Sequence, residues 1–254
     1  MNLLRAVLHM VIAVVTVVPW AVAALLASPF LSHDALYRFC TDWGRLFVRS
    51  GEAILGIRNR VHGLDNLPQA PDARVVLLVK HQSTWETFLL VQVIRRPLAY
   101  VLKRSLLYIP FFGWCLARLR MIYIDRDQTL RAVSRIVQQG QQALDAGSWV
   151  VMFPEGTRVP RGQKGNYHAS GALLAIQCNA VIVPVAVTSA RCWPRKAFVK
   201  RPGVVDISFG PPIASQGRKA RAVMAEVEQW IEAEMRRLDP DAYVAGASVL
   251  GAAP

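Results

Sequence analysis

Short apolar runs alternate with longer amphipathic stretches from about residue 60 to residue 240. The apolar runs have the length of buried strands, and they favour strands at 74–79, 98–102, 121–124, 149–153, 181–187 and 204–209. Stretches with helical spacing separate most of them, at 84–94, 128–146, 168–178 and 218–238. Since strands buried in parallel sheets are almost continuously apolar, the pattern predicts an α/β domain with a mostly parallel central sheet flanked by helices.

The amino-terminal segment has a different pattern. Residues 6–32 contain no Asp, Glu, Lys or Arg, and this stretch exceeds the roughly 20 residues that a helix needs to cross a bilayer. It is also too long for the apolar region of a cleaved signal peptide, about 7–15 residues. Pro19 interrupts the run and predicts either a kinked helix or two short helices. Whether the segment spans the bilayer or lies in one leaflet is open, and Pro19 favours the leaflet.

The following stretch, 34–57, places aromatic and aliphatic residues at roughly helical spacing, with arginines among them. Such a pattern is typical of an amphipathic helix in the headgroup layer, its aromatic side chains towards lipid and its arginines towards water. A surface helix packed on the main domain is the alternative, but the neighbouring apolar run favours the membrane. Only Arg5 precedes that run, so the arginine-rich side is expected at the cytoplasmic face of the inner membrane.

We therefore expect a membrane-binding helical element at 1–58, an α/β domain at 59–239 and a loose tail at 240–254. The chain has 254 residues, 53% of them apolar, which excludes a mostly disordered protein. Its net charge of +13 predicts a surface that attracts phosphate, whether on nucleic acid, anionic lipid or a small substrate. The four cysteines are scattered and form no zinc-ligand pattern, so we expect reduced thiols and no metal site.

A polar cluster, KHQSTWE at 80–86, follows the first predicted strand of the α/β domain. Residues five apart on one helix differ by about 140° around its axis, so His81 and Glu86 can meet only if His81 precedes the helix. Ser83 and Glu86 form a capping-box pattern, which predicts a helix that starts at Ser83 and places His81 in the turn before it.

Two interpretations of this cluster are open. Glu86 could serve only as a helix cap, with His81 an ordinary turn residue. Alternatively, His81 is a general base: imidazole, with an ordinary pKa of about 6.5, accepts a proton from an alcohol, and a carboxylate fixes its tautomer and stabilises the imidazolium. The chain has no G-x-S-x-G nucleophile motif. A substrate hydroxyl is therefore the expected proton source, with direct transfer and no covalent intermediate.

A second cluster, PEGTR at 154–158, follows the strand predicted at 149–153. Gly156 allows close approach of the backbone to a ligand, Thr157 adds a hydroxyl, and Arg158 can grip a phosphate with its guanidinium fork, which Glu155 could hold in place. The alternative is a plain surface ion pair between Glu155 and Arg158.

Together, HQSTWE at 81–86 and FPEGTR at 153–158 resemble motifs of the lysophosphatidic acid acyltransferases, the 1-acyl-sn-glycerol-3-phosphate acyltransferases of the glycerolipid acyltransferase superfamily. KRSLLYIPFFG at 103–113 resembles the second motif of that family, and VIVPVAV at 181–187 resembles the fourth. The four blocks occur in the family order, so the resemblance covers about residues 60 to 215. Two departures are Glu86, where the family usually has Asp, and Ser105, where it often has Glu.

The resemblance implies transfer of an acyl chain from acyl carrier protein or coenzyme A to the 2-hydroxyl of 1-acylglycerol-3-phosphate, forming phosphatidic acid. His81 would be the general base and Glu86 its orienting carboxylate. The implied substrate-binding residues are Lys103, Glu155, Gly156, Thr157 and Arg158, with Arg126 as a weaker candidate. The implied partners are lysophospholipid, acyl thioester and membrane, with acyl carrier protein as a potential donor, and no cofactor is implied. In this family a two-helix element that enters the membrane precedes the α/β domain.

Three other functions compete with this one. A nucleic-acid-binding module would use the positive charge, but the basic residues are dispersed and no helix-turn-helix, zinc-finger or RNP pattern occurs. A non-catalytic membrane scaffold would keep the fold without needing His81. An acyltransferase could also act on another lysolipid, such as lyso-ornithine lipid, because His81 would do the same chemistry on its hydroxyl.

Overall fold

The computed structural model describes residues 1–124 and 129–244. Its helices are α1 (Asn2–Ala27), α2 (His33–Leu55), α3 (Trp85–Val93), α4 (Phe112–Arg118), α5 (Thr129–Asp145), α6 (Ser170–Gln177) and α7 (Ala220–Leu238). Its strands are β1 (Ile57–His62), β2 (Val75–Val79), β3 (Leu98–Lys103), β4 (Ile122–Ile124), β5 (Trp149–Met152), β6 (Val181–Val187) and β7 (Gly203–Phe209).

The strands form one seven-stranded sheet in the order β1-β7-β6-β2-β5-β3-β4. Every pairing is parallel except that of β6 with β7, so β1 and β7 run opposite to the other five strands. The predicted α/β fold with a mostly parallel sheet is confirmed, and each predicted strand and helix of the domain is present within a few residues of its predicted ends.

The sheet is covered on both faces, which explains the unbroken apolar run at β2. Val75, Leu77 and Val79 pack into a core with α2 and α3. Val76 and Leu78, which point to the opposite face, pack into a second core with α5, α6 and α7. A strand buried on both sides has no polar face, so its sequence shows no alternation.

Two elements were not predicted. The segment 34–57 was expected to be helical to its end, but α2 stops at Leu55 and Ile57 begins β1. β1 is an edge strand with a mixed sequence, IRNRVH, whose exposed positions hide the strand signal. The short helix α4 begins at Phe112, near the end of the block at 103–113. Pro110 and Gly113 interrupt the pattern there, so the sequence showed no helical periodicity.

The predicted orientation of α2, with its aromatic residues towards lipid, is wrong. Phe47 and Trp43 instead pack against Phe88 of α3, with ring centroids 4.6 Å and 5.6 Å away. Gly51 allows this close packing, because a Cβ there would lie 2.5 Å from the ring of Trp85. The apolar face of α2 is thus covered by the α/β domain and, at Phe39, by Trp20 of α1, as a surface helix packed on protein would be.

Helix α1 is continuous through Pro19, which excludes two short helices. It packs on the rest of the protein through several polar contacts: Trp20 Nε1 donates to the carbonyl of Phe39 (2.8 Å), and Trp43 Nε1 donates to Thr16 Oγ1 (3.1 Å). Its other side is exposed and apolar, with Val11, Val14, Val15, Val18 and Val22. Among the described helices, α1 alone is long and apolar enough to cross a membrane.

Candidate active site

The polar clusters meet at one edge of the sheet. β6, β2, β5 and β3 are neighbours and run parallel, so their carboxyl ends lie side by side. His81 follows β2, Phe153 follows β5, Ser189 follows β6, and Lys103 ends β3. Open α/β sheets bind ligands at this edge.

His81 and Glu86 are in direct contact. Nδ1 of His81 lies 3.0 Å from Oε1 of Glu86, and the imidazole ring stacks on Phe153 with centroids 3.9 Å apart. The Glu86 carboxylate is completely buried, whereas the His81 side chain retains 14% exposure. With Nδ1 engaged by the carboxylate, Nε2 is the nitrogen available to a substrate.

Glu86 is held by a dense set of hydrogen-bond donors. Oε1 also accepts from the backbone N–H groups of Gln82 and Ser83, both at 2.7 Å. Oε2 accepts from the hydroxyls of Ser83 (2.5 Å) and Ser189 (2.6 Å). Burial by itself would raise the pKa of Glu86, but the bonds from His81, Ser189 and Ser83 outweigh it and hold the pKa below its ordinary value. The carboxylate therefore stays ionised beside His81.

The capping-box prediction is correct for Glu86 but places the helix start too early. Glu86 accepts from the N–H of Ser83, as a capping box requires, yet α3 begins at Trp85. Ser83 Oγ accepts from the N–H of Trp85 at 2.9 Å, so residues 81–84 remain in a turn. This turn brings His81 back over Glu86. Capping and orientation of the histidine are thus combined in one side chain.

The backbone of His81 is fixed by the loop that follows β5. Its N–H donates to Oε2 of Glu155 (2.7 Å), and its carbonyl accepts from the N–H of Val159 (2.7 Å). Glu155 is buried, and its other oxygen forms a 2.8 Å ion pair with Lys80. Burial raises the pKa of Glu155, although Lys80 and the His81 N–H act against that rise. The expectation that Glu155 holds Arg158 and binds substrate is therefore corrected: its carboxylate faces Lys80 and the His81 backbone.

A cavity of about 360 Å³ opens beside His81, within the range of roughly 300–1,000 Å³ typical of ligand sites. It lies between the amino-terminal helices and the α/β domain, with walls from α1, α2, α3, β3 and α4. Most of its lining is apolar, including Val17, Trp20, Phe88, Val91, Leu106 and Leu116. The shape and lining suit a hydrocarbon chain.

Two cations share this cavity with the histidine. Lys103 and Arg158 are exposed and contribute to the same cavity wall as His81. Gly156 and Thr157 lie in the loop beside Arg158, and Gly156 needs to be glycine because its φ is +64°. Arg126 lies outside the described residues.

Sequence reasoning missed Lys80 and Ser189. Ser189 follows β6, the neighbour of β2, so the rule about strand ends would have found it once the strand order was known. Lys80 gave no signal, because a lysine beside a strand end is usually solvated. In the structure it is fully buried.

Comparisons with known proteins identify relatives of this chain. Residues 58–188 match the family model described as Acyltransferase. The 1-acyl-sn-glycerol-3-phosphate acyltransferase of Pseudomonas aeruginosa is 38% identical over 242 residues, covering 93% of this chain and 92% of that protein. The protein of the same name from Saccharomyces cerevisiae is 29% identical over 212 residues, 78% of this chain and 64% of that protein.

The fold also matches a solved structure. The crystal structure of the 1-acyl-sn-glycerophosphate (LPA) acyltransferase PlsC from Thermotoga maritima superposes with a TM-score of 0.79 at 21% identity, covering 94% of this chain and 96% of that one. The family model and the relative with 38% identity together establish the family, and the structural match establishes the fold. The chain belongs to the acyltransferase family.

Proposed function

We propose that this enzyme transfers an acyl chain from an acyl thioester to the 2-hydroxyl of 1-acylglycerol-3-phosphate, forming phosphatidic acid for phospholipid synthesis. The observation that carries the proposal is the cavity that His81 shares with Lys103 and Arg158. It combines a base, two cations and an apolar volume, which match the hydroxyl, the phosphate and the acyl chain of that acceptor. The names of the relatives support the same acceptor.

In the proposed reaction, His81 Nε2 takes the proton of the acceptor hydroxyl while its oxygen attacks the thioester carbonyl. The imidazolium so formed is stabilised by ionised Glu86 across the 3.0 Å contact with Nδ1. When the carbon–sulfur bond breaks, the thiolate leaves and His81 returns the proton to sulfur. Neither step needs a metal or an organic cofactor, because the thioester supplies the leaving group and His81 supplies the base.

The acceptor phosphate is assigned to Lys103 and Arg158. A guanidinium can grip a phosphate with two parallel hydrogen bonds, and an ammonium adds a second charge. The polar edge of the cavity thereby fixes the headgroup, and its apolar walls receive a hydrocarbon chain. This arrangement would hold the 2-hydroxyl near His81.

The features of α1 support placement of the enzyme at a membrane. The helix presents an exposed apolar side, and its opposite side contributes Val17, Trp20, Ala21 and Ala24 to the cavity. A lysolipid in the bilayer could therefore reach the site without crossing water. We place the α/β domain on the cytoplasmic side of the membrane, where acyl carrier protein or coenzyme A would present the donor.

The direct test offers the purified protein a mixture of lysolipids with acyl carrier protein or coenzyme A thioesters and identifies the products by mass spectrometry. Phosphatidic acid should be the main product. The proposal fails if lyso-ornithine lipid or another lysolipid is acylated and 1-acylglycerol-3-phosphate is not. It also fails if no acceptor reacts with either donor.

Replacing Arg158 with alanine should mainly weaken acceptor binding. Loss of a charged hydrogen-bond partner costs about 1.5–3 kcal/mol, so the KM for 1-acylglycerol-3-phosphate should rise roughly 10- to 100-fold, while the donor KM stays unchanged. Steady-state kinetics with each substrate varied in turn measures both values. Arg195→Ala, an exposed arginine in another loop, is the control. Equal rates for wild-type enzyme with phosphate-free monoacylglycerol would contradict the phosphate assignment.

A further inference from the structure

A buried charge cluster lies behind His81 and contributes no reacting group to the transfer just described. Lys80, the residue before His81, is 0% exposed. Its Nζ forms ion pairs with Glu155 Oε1 (2.8 Å) and Glu232 Oε1 (2.7 Å), and it donates to the carbonyl of Gln163 (3.2 Å). Glu232 belongs to α7 and also accepts from the hydroxyl of Tyr167 (2.8 Å). One ammonium thus joins the catalytic turn, the loop after β5 and the last helix.

Such a cluster is costly unless each charge has a partner. Moving a lysine or a carboxylate out of water costs several kcal/mol, which is offset only by good geometry and further hydrogen bonds. Here two carboxylates share one ammonium, so removal of Lys80 would leave both facing each other with no cation between them. One carboxylate would then take up a proton.

The second oxygen of Glu155 connects this cluster to catalysis. Oε2 accepts from the backbone N–H of His81 at 2.7 Å, and Val159 of the same loop donates to the His81 carbonyl. Arg158 directly precedes Val159 in sequence. The general base and the cation assigned to the phosphate are therefore connected through a clamp that includes the carboxyl group of Glu155.

We propose that Lys80 is a positioning residue for the transfer reaction: it keeps Glu155 in the form that clamps the His81 backbone against the loop carrying Arg158. This inference rests on the proposed function. Lys80 touches neither substrate, and it acts through Glu155. Glu232 sets how strongly Lys80 acts, because it competes for the same ammonium.

Loss of Lys80 should make the activity depend on pH, and the charges around Glu155 determine whether activity rises or falls with pH. Burial raises the pKa of Glu155, and Lys80 is the cation that lowers it most. Among the described residues, the other titratable or charged groups around the cluster are the following: Tyr167, Tyr243, Glu232, Glu228, Asp239, Lys164, Arg236 and His81. Without Lys80 the pKa of Glu155 rises further, which favours the protonated carboxyl, and a higher pH is then needed to ionise it.

Lys80→Met should therefore lower kcat at neutral pH, by about 100-fold if the His81 ring shifts by about 1 Å, and part of the loss should be recovered at pH 9. The measurement is the pH profile of kcat with 1-acylglycerol-3-phosphate, together with the donor KM, which should not change. Lys164→Met is the matched control. Lys164 also pairs with a glutamate of α7, Glu228, but this ion pair lies at the surface. That variant should keep the wild-type profile.

Two further variants test whether protonation of Glu155 causes the loss of kcat in Lys80→Met. Glu155→Gln should lose activity without recovery at high pH, because it has no carboxyl to titrate. Adding Glu232→Gln to Lys80→Met should restore part of the neutral-pH rate, since it removes the charge that opposes ionisation of Glu155. If Lys80→Met does not fold, as judged by circular dichroism, Glu155→Gln against the wild type still gives the test.

These experiments distinguish failure of the inference about Lys80 from failure of the proposed function. A folded Lys80→Met enzyme with wild-type kcat overturns the inference, and so does a loss that is equal at every pH and is not relieved by Glu232→Gln. Wild-type activity of Glu155→Gln also overturns it. A wild-type enzyme that makes no phosphatidic acid contradicts the proposed function instead.

Discussion

His81→Ala should remove at least 99% of acyl transfer activity, about 100-fold or more, while the protein stays folded and membrane-associated. General-base catalysis contributes about 10²–10⁴-fold, and among the described residues that line the cavity with Lys103 and Arg158, His81 supplies the one imidazole, and none of them carries a carboxylate. The side chain is mostly buried and stacks on Phe153, but it belongs to neither hydrophobic core, so we expect its loss to leave the fold intact. We expect kcat to fall at least 100-fold with the acceptor KM nearly unchanged, measured by radiolabelled acyl transfer.

The matched control is His62→Ala at the far edge of the sheet. His62 lies on β1 and contacts Asp206, which also has two arginine partners. That variant should keep wild-type activity. If His81→Ala transferred acyl chains at the wild-type rate, the protein would be a scaffold that uses the fold without its chemistry, the rival set out above.

Glu86→Gln should be nearly as damaging, with kcat lowered about 10²–10⁴-fold. The comparable change of Asp to Asn in a Ser-His-Asp triad costs about 10⁴-fold, because the amide holds the wrong imidazole tautomer. Here the cost has a second source. The side-chain oxygens accept from five donors, and an NH₂ group in place of either oxygen would face at least two of them.

Two companion variants make this test specific. Ser189→Ala removes one donor from Oε2 and leaves His81 in place, so its loss should be much smaller, about tenfold. Glu86→Asp keeps the charge but is one methylene shorter, and it should retain more activity than Glu86→Gln. If Glu86→Gln were as active as the wild type, Glu86 would be only a helix cap, and the alternative interpretation of the cluster would hold.

Much of the fold follows from local pattern. Strands covered on both faces are continuously apolar, and β2, β5 and β6 were therefore recognised within one or two residues. The edge strand β1 was missed because Arg58 and Arg60 lie on its solvent-exposed side. Its sequence therefore lacks the continuous apolar run by which the buried strands were recognised. The orientation of the apolar face of α2 was wrongly predicted for a related reason. An amphipathic helix shows that one face is buried, and the periodicity is the same whether lipid or α3 covers it.

The same limit applies within the site. His81 and Glu86 are close in sequence, so turn geometry and capping chemistry showed that they could meet, and the family resemblance favoured the interpretation in which they do. Glu155 was assigned to Arg158 because they are neighbours, whereas the fold turns Glu155 inwards to Lys80. The catalytic and binding roles of these residues remain predictions, to be tested by the variants above.

By itself the sequence determined the class of fold, the apolar amino-terminal helix and the turn that allows His81 to reach Glu86, because each depends on residues close together in the chain. Tertiary structure alone decided which face of α2 meets the domain, that Ser189 contacts Glu86 across 103 positions, and that Lys80 reaches Glu232 across 152. Contacts over such separations depend on the order of strands in the sheet. A buried ion pair has no periodic signature in the sequence, since each partner is indistinguishable from an ordinary solvated charged residue before folding buries it.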